Sequence, residues 1–424
     1  MIIYSGVSFV WGKGDILSGV EFNYYTGQVN FRNQRGGKKR MRILHTSDWH
    51  LGRTFHGVHL TNDQVYILDE FVRLVRDTHP DVVLIAGDIY DRSVPPTEAV
   101  RLLDEVLSRI LMDHRVPIIL IAGNHDSPER LGFGQRLLAR QGLHVVGQLE
   151  RGPVPIVIPD AFGPVYFCPL PYAEPALVRD RLQVPEAQNH DQAMAALLSH
   201  FVQQIPGQAR TVIAAHAFVA GGEGSESERP LSVGGSGTVE AAHFQPFNYV
   251  ALGHLHQSQA AGGEHIRYAG SLMKYSFSEA DHRKSITLVE MDAAGKVSSE
   301  AITLSPSRDV RCLKGYLQEI LSGPQNGESR EDYLMVTLQD TGAILDVMGK
   351  LREVYPNVLR VDRPYLTTGN NLQGPMGDHR RLSETELFAS FFEQVTGKAL
   401  AEDEEKMFAE TVDTLYRQER EVSR

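Results

Sequence analysis

The sequence predicts an α/β fold with layers around a central sheet, followed by a smaller α/β module and a helical tail. Two observations predict it. Short apolar strands alternate with amphipathic helices. Nearly every strand also runs into a residue able to ligate a metal, and in open α/β sheets sites form outside the carboxyl ends of strands.

Beginning at Met41, Ile43–Ser47 reads as a short buried strand. Thr61–Arg76 reads as an amphipathic helix, with Val65, Ile67, Leu68, Phe71, Val72 and Val75 on its apolar side. Val82–Ala86 is a β-branched apolar run of strand type, and Pro95-Pro96 introduces a helix over Thr97–Leu111. Ile118–Ala122, Thr211–Ala215 and Tyr249–Leu252 are further strands. Around Asp309 the pattern changes. Cys312–Leu321 reads as helix, Tyr333–Leu338 as strand, Ala343–Val354 as helix and Val358–Val361 as strand, which makes a small module over 309–366. The stretch 367–382 has the glycine- and asparagine-rich composition of a linker. Over 383–424, Ser383 and Glu386 form a capping box for a helix carrying Leu387, Phe388, Phe391 and Val395. A second helix, Glu402–Arg417, carries Phe408, Val412 and Leu415. A two-helix tail cannot bury that much apolar surface alone, so it docks on its own protein or on a partner.

The 424 residues are too many for one ordinary domain, and 42% hydrophobic with 22% charged residues fits a globular chain with ample core. No apolar run approaches the roughly 20 residues of a membrane helix. Cys168 and Cys312 are far apart and in no metal spacing, which fits a reducing cytoplasm. The net charge of −11 lacks the basic footprint of a free-standing DNA binder. Either the substrate is small, or metal ions and a partner supply the positive field. Residues 1–40 differ from the rest: six basic residues face two acidic ones, with no sustained periodicity and no signal-peptide pattern. Met41 has the character of a natural start, and 1–40 reads as translated upstream sequence, with a disordered extension or an added strand as the alternatives.

Phosphodiester hydrolysis needs an activated water, neutralised phosphate charge and help for the leaving oxygen, and two metal ions roughly 3.5–4 Å apart supply all three. Mixed imidazole and carboxylate ligands suit transition metals. Asp48 and His50, two apart at a strand end, face one side if the backbone is extended. Gly87 lets the chain bend so that Asp88 can bridge two ions. Asn124 offers a neutral oxygen. His125 is placed to reach the substrate, with Asp126 orienting its ring. His216 follows the strand Thr211–Ala215, and His254 and His256 repeat the two-apart spacing. Each piece alone is common among seventeen histidines; the ordered set specifies a dinuclear phosphoesterase centre.

These residues resemble the calcineurin-like metallophosphoesterases, whose motifs run D-x-H, G-D, G-N-H-D, H and G-H-x-H. The stretches Ser47–Arg53, Gly87–Arg92, Gly222–Arg229, Ala251–His256 and Tyr268–Leu272 are most similar to the SbcD branch, bacterial subunits that cut DNA double-strand breaks. The resemblance implies a layered β-sandwich flanked by helices over 41–308, a capping domain over 309–366 and a C-terminal helical pair. It implies that Asp48, His50 and His256 hold one metal, that Asn124, His216 and His254 hold the other, that Asp88 bridges and that His125 acts on the substrate. It implies two divalent ions, Mn²⁺ in preference to Mg²⁺. It further implies a homodimer within a heterotetramer with an SbcC-type coiled-coil ATPase, and ATP-dependent exonuclease and hairpin endonuclease action in DNA repair, recombination and replication. ATP would act only through the partner, because the chain has no P-loop. Some relatives carry a histidine three residues after the bridging aspartate; here Asp91 stands there. Arg53, Arg92 and Arg229 follow motifs closely and are candidates for phosphate contact. The alternative is a small-molecule phosphodiesterase or phosphatase using the same cage.

Overall fold

Val82–Ala86 and Ile118–Ile121 are buried at every residue, which requires a sheet covered on both faces. The computed structural model describes residues 20–23, 28–31, 40–229, 231, 237–325, 327–341, 344–364, 398–422 and the single residues Thr385, Phe388, Ala389 and Phe392. The linker expected over 367–382 and most of the first tail helix lie outside these. Contacts divide the chain after Ser307 into two units.

In the first unit the principal strands are, in chain order, Met41–Thr46 (β1), Val82–Ala86 (β2), Ile118–Ile121 (β3), Leu143–Val146 (β4), Ile156–Asp160 (β5), Gly163–Leu170 (β6), Arg210–His216 (β7), Tyr249–Gly253 (β8), Gln259–Ala260 (β9), Ile266–Tyr268 (β10), Ser285–Met291 (β11) and Val297–Thr303 (β12). They form two six-stranded sheets, ordered β12-β11-β1-β2-β3-β4 and β9-β10-β8-β7-β6-β5. Strands β1 to β4 are mutually parallel, as are β6, β7, β8 and β10.

The strand period of two decides what faces what. Met41, Ile43, Val82, Leu84, Ile119 and Ile121 pack against Val165, Phe167, Val212, Ala214, Tyr249 and Ala251 between the sheets. Residues of opposite parity in the second sheet, including Ile213, Ala215, Val250 and Leu252, pack with Leu197, Leu198 and Phe201 of the helix His190–Gln204. Helices α1 (Thr61–Thr78) and α2 (Thr97–Ser108) bury Ile67, Leu68, Phe71 and Val72, and Leu102, Leu103 and Val106, respectively. Val65, expected on the buried side of α1, is exposed. Trp49, between two candidate ligands, is fully buried and meets Phe71 edge-on, so it is a packing residue.

Polar bonds also join the sheets. His45 Nε2 donates to the Leu252 carbonyl (3.2 Å) while its Nδ1 accepts from the Tyr249 hydroxyl (2.9 Å). His216 Nδ1 donates to the Ala86 carbonyl at 3.0 Å. In the described part of the extension, Val20–Asn23 pairs antiparallel with Gln28–Phe31, although the sequence there shows no periodicity.

The second unit contains three parallel strands, Val310–Gly315 (β13), Tyr333–Leu338 (β14) and Val358–Asp362 (β15), with the helices Leu317–Leu321 and Val347–Val354. Cys312 therefore lies in a strand, not in the expected helix. Six residues pairing in register with Tyr333–Leu338 outweigh a weak local preference. Leu317, Ile320, Leu334, Val336, Leu351, Tyr355 and Val358 form its core. A helix spans Glu402–Val422, and Phe408 within it stacks on Phe388 at 3.9 Å.

Candidate metal centre

The carboxyl ends of β1, β2, β3, β7 and β8 bring the predicted residues together, but not through extended backbone. Asp48 and His50 lie beyond the end of β1 and both have left-handed φ, 54° and 45°. Asp88 (49°) and His254 (106°) share this conformation. Such non-glycine residues cost about 1–3 kcal/mol each and persist only where surroundings fix them. Here backbone bonds fix them: the Asp48 and His50 amides donate to the Gly87 and Asp88 carbonyls, and the His254 amide donates to Asp48 Oδ1, all at 3.0 Å. Gln64 of α1 clamps the same turn, its Nε2 donating to the His50 carbonyl and its Oε1 accepting from Gly52.

The glycines are contact requirements. A Cβ on Gly87 would lie 2.3 Å from His216 Nδ1, one on Gly123 2.1 Å from Asp88 Oδ1, and one on Gly253 1.8 Å from the Ala86 carbonyl oxygen.

Three overlapping groups have ligand atoms within 4.8 Å of one another: Asp48, His50 and His256; His50, Asp88 and His125; and Asp48, Asp88 and His216. Asn124 Oδ1 is 2.9 Å from His216 Nε2, and the His254 ring centre is 5.4 Å from that of His216. His50 Nε2 and His256 Nε2 approach to 3.1 Å. The donor set fits divalent cations for two reasons. His216 and His256 have Nδ1 engaged on the outer side, by the Ala86 carbonyl and by Ser227 and Glu279, which leaves each Nε2 aimed inward. Asp48 and Asp88 are also buried, and among the described residues no lysine or arginine forms an ion pair with either. Buried carboxylates need compensating charge.

The electrostatics follow from burial. Burial, then the charge of Asp88, pushes the Asp48 carboxyl well above its usual range. Burial pushes Asp88 the same way, but His216 and His125 beside it prevail and hold it low. Burial holds His50 and His216 below the ordinary imidazole range, and burial with the neighbouring His216 brings His254 down to about 3. These rings are neutral near pH 7, the form that binds metal.

Asp126 does not orient His125. Its carboxylate accepts the amides of Ile89 (3.1 Å), Tyr90 (2.9 Å) and Gly123 (2.9 Å), binding the loops after β2 and β3 to each other. The His125 ring is held instead by its Nδ1 donating to the Asp91 carbonyl at 2.9 Å. The Asp126 carboxylate is taken up by one amide of its own loop and two of the loop after β2, which leaves it turned away from the His125 ring. Asp91 also accepts from Arg53 at 3.0 Å, so Arg53 is folded back, lying over the Tyr275 ring. Arg92 and Arg229 are exposed. Gln64, Glu279 and Lys284 contact the turns that carry candidate ligands, and sequence reasoning missed them because no motif spacing marks them; Ser227, which contacts His256, lies in the motif stretch Gly222–Arg229 but was assigned no role there.

A family model described as calcineurin-like phosphoesterase matches residues 41–258. The chain belongs to the calcineurin-like phosphoesterase family. A second model, described as the type 5 capsule protein repressor C-terminal domain, matches residues 306–396. Within the family, the chain is 30% identical over 362 residues to the SbcD subunit of the SbcCD nuclease from Staphylococcus epidermidis, covering 85% of this chain and 95% of that protein. It is 31% identical over 366 residues to the protein of the same name from Staphylococcus saprophyticus, covering 86% and 96%. This phosphoesterase therefore stands in the SbcD branch, as its motifs led one to expect. A crystal structure of a dimetal phosphatase from Danio rerio aligns with 63% of this chain and 100% of its own, at TM-score 0.37 and 14% identity.

Proposed function

We propose that this chain is the nuclease subunit of an SbcCD-type complex and hydrolyses DNA phosphodiester bonds with two divalent ions, Mn²⁺ in preference to Mg²⁺. One observation carries the reading: Asp48, His50, Asp88, His216 and His256 bring ligand atoms together in overlapping groups, with Asn124 and His254 beside His216, while His125 keeps its Nε2 directed inward. Asp48, His50 and His256 would hold one ion and Asn124, His216 and His254 the other, with Asp88 shared. Bound ions supply Lewis acidity and an activated water. The protein's own part is positional. The Asp91 carbonyl fixes the His125 ring through Nδ1, so a proton arriving at Nε2 makes an imidazolium that donates to the phosphate or to the leaving oxygen. Arg92 and Arg229 lie exposed at the surface and would be the ones to contact phosphate, whereas Arg53 would have to leave Asp91.

The names of the Staphylococcus relatives support the pairing with an SbcC partner. The partner would be a coiled-coil ATPase docking on 383–424, and it would confer ATP dependence on 3′–5′ exonuclease and hairpin endonuclease action. The exposed Val65, Tyr66 and Val100 on α1 and α2 support a homodimer inside a heterotetramer. The partner also answers the net charge of −11, since DNA would meet the assembly and not this chain alone. Among the described residues no helix is long and apolar enough to cross a membrane, and the proposed place of work is the cytoplasm, at the nucleoid.

The test is cleavage of an end-labelled duplex with Mn²⁺, by the chain alone and with its ATPase. Metal-dependent cleavage that rises with partner and ATP is expected. Turnover of a small phosphodiester with no cleavage of DNA would replace this reading with a small-molecule hydrolase.

A further inference from the structure

A charged network behind His256 has no part in the chemistry above. Glu279, in the turn Phe277–Glu279, is fully buried. Its Oε1 accepts from the Ser227 hydroxyl and the Tyr275 amide and lies 3.4 Å from His256 Nδ1. Its Oε2 accepts from the ammonium of Lys284, which is also buried. Lys284 Nζ donates in addition to the His256 carbonyl and to the Ser271 hydroxyl, both at 2.8 Å.

A buried ion pair is a poor device for stability alone, because apolar residues of the same volume often serve as well. This pair grips one histidine at two points, its carbonyl and its outer ring nitrogen, while the inner nitrogen points at His50. We propose that Glu279 and Lys284 are positioning residues for His256. Glu279 sets the tautomer and rotation of the ring, directly and through Ser227, whose hydroxyl donates to Glu279 and lies 2.7 Å from His256 Nδ1, and Lys284 fixes both Glu279 and the backbone of His256. The inference rests on reading the centre as a metal site. Its chemistry is general: a carboxylate behind a ligating imidazole orients the ring and strengthens it as a donor, and losing one weakens metal binding by about 10–100-fold.

The experiment is Mn²⁺ titration of the full chain by calorimetry, with electron paramagnetic resonance of the bound ion, on the wild type, Glu279→Gln and Glu279→Asp. Glu279→Gln keeps the shape and loses the charge. Glu279→Asp keeps the charge beside Lys284 and withdraws it from the ring. The wild type should bind two ions. Both variants should hold one of them about 10–100-fold more weakly, with an altered resonance spectrum and an unchanged second site. Wild-type protein that binds no Mn²⁺ would overturn the reading of the centre and this inference with it. Two ions in the wild type and equal affinity in either folded variant would overturn the positioning role alone. If Glu279→Gln fails to fold, Glu279→Asp decides. If neither folds, the pair is a folding element and the proposal falls.

Discussion

Met41–Ser307 and the module Arg308–Asp362 are both built from parallel strands with helices, yet they spend their polar residues differently. In the first, Asp48, His50, Asp88, His125, His216, His254 and His256 are buried at strand ends, and four of them have left-handed backbone. In the module, Asp332 is the buried charged residue among those described, and it is paired with Arg311 at 2.7 Å. Its left-handed non-glycine residue, Asp346, caps a helix and stands at no strand end. A stable parallel sheet therefore needs neither strained strand ends nor buried carboxylates without a cation. Where both occur together they mark a surface shaped for something other than stability.

This contrast can be broken at several points. The largest effect is expected for His125→Ala, which should lower DNA cleavage by about 10²–10⁴-fold while the fold, read by circular dichroism, is kept. Wild-type cleavage would show that burying this ring serves packing only. Gly253→Ala forces a Cβ against the Ala86 carbonyl and should cost about 3 kcal/mol. Gly315→Ala in the module meets nothing nearer than the Glu319 carboxylate at 3.4 Å and the Ile320 side chain at 3.8 Å and should stay within about 0.5 kcal/mol. Urea unfolding followed by hydrogen exchange in each region measures both. Mn²⁺ at a hundred times its dissociation constant should stabilise Met41–Ser307 by about 2.7 kcal/mol for each ion bound and leave β13 to β15 unchanged. Equal protection of both regions would dissolve the comparison.

The smallest effect is the response to acid. His45 is fully buried, and its pKa is lowered to about 3 by burial. Its folded pKa lies below its unfolded one, so the unfolded chain takes up more protons as pH falls below about 6.5, and stability is lost progressively towards the folded value. The slope is about 1.4 kcal/mol per pH unit for each such ring. The metal-free first region should loosen between pH 6.5 and 5, and His45→Gln should flatten that slope by one ring's worth. The module has no histidine from Arg308 to Pro364 and should not respond.

What the sequence made legible was local. Asp48, Asp88, Asn124 and His254 stand within three residues of the ends of their own strands and His216 closes its strand, so finding the strand finds the ligand. The left-handed backbone of Asp48, Asp88 and His254 was not legible, because it depends on bonds between turns: Asp48 to Gly87, His254 to Asp48. The role of Asp126 was misread for the same reason, since the amides it accepts lie 36 and 37 residues away as well as nearby. Glu279 and Lys284 stayed hidden in an unremarkable polar stretch, and Cys312 was misassigned because a short strand needs its partner to be recognised. In each case the deciding contact lies outside the window that a periodicity can sample.

The bonds from His216 to Ala86 and from His45 to Tyr249 and Leu252 have a mechanical consequence. Together with the Asp48–His254 contact they rivet one sheet to the other along a single rim. The apolar seam beneath can slide; a rim of directional bonds cannot. Any load that shears one sheet past the other, such as a pull transmitted along a gripped substrate, is borne first at the rim where the candidate ligands stand.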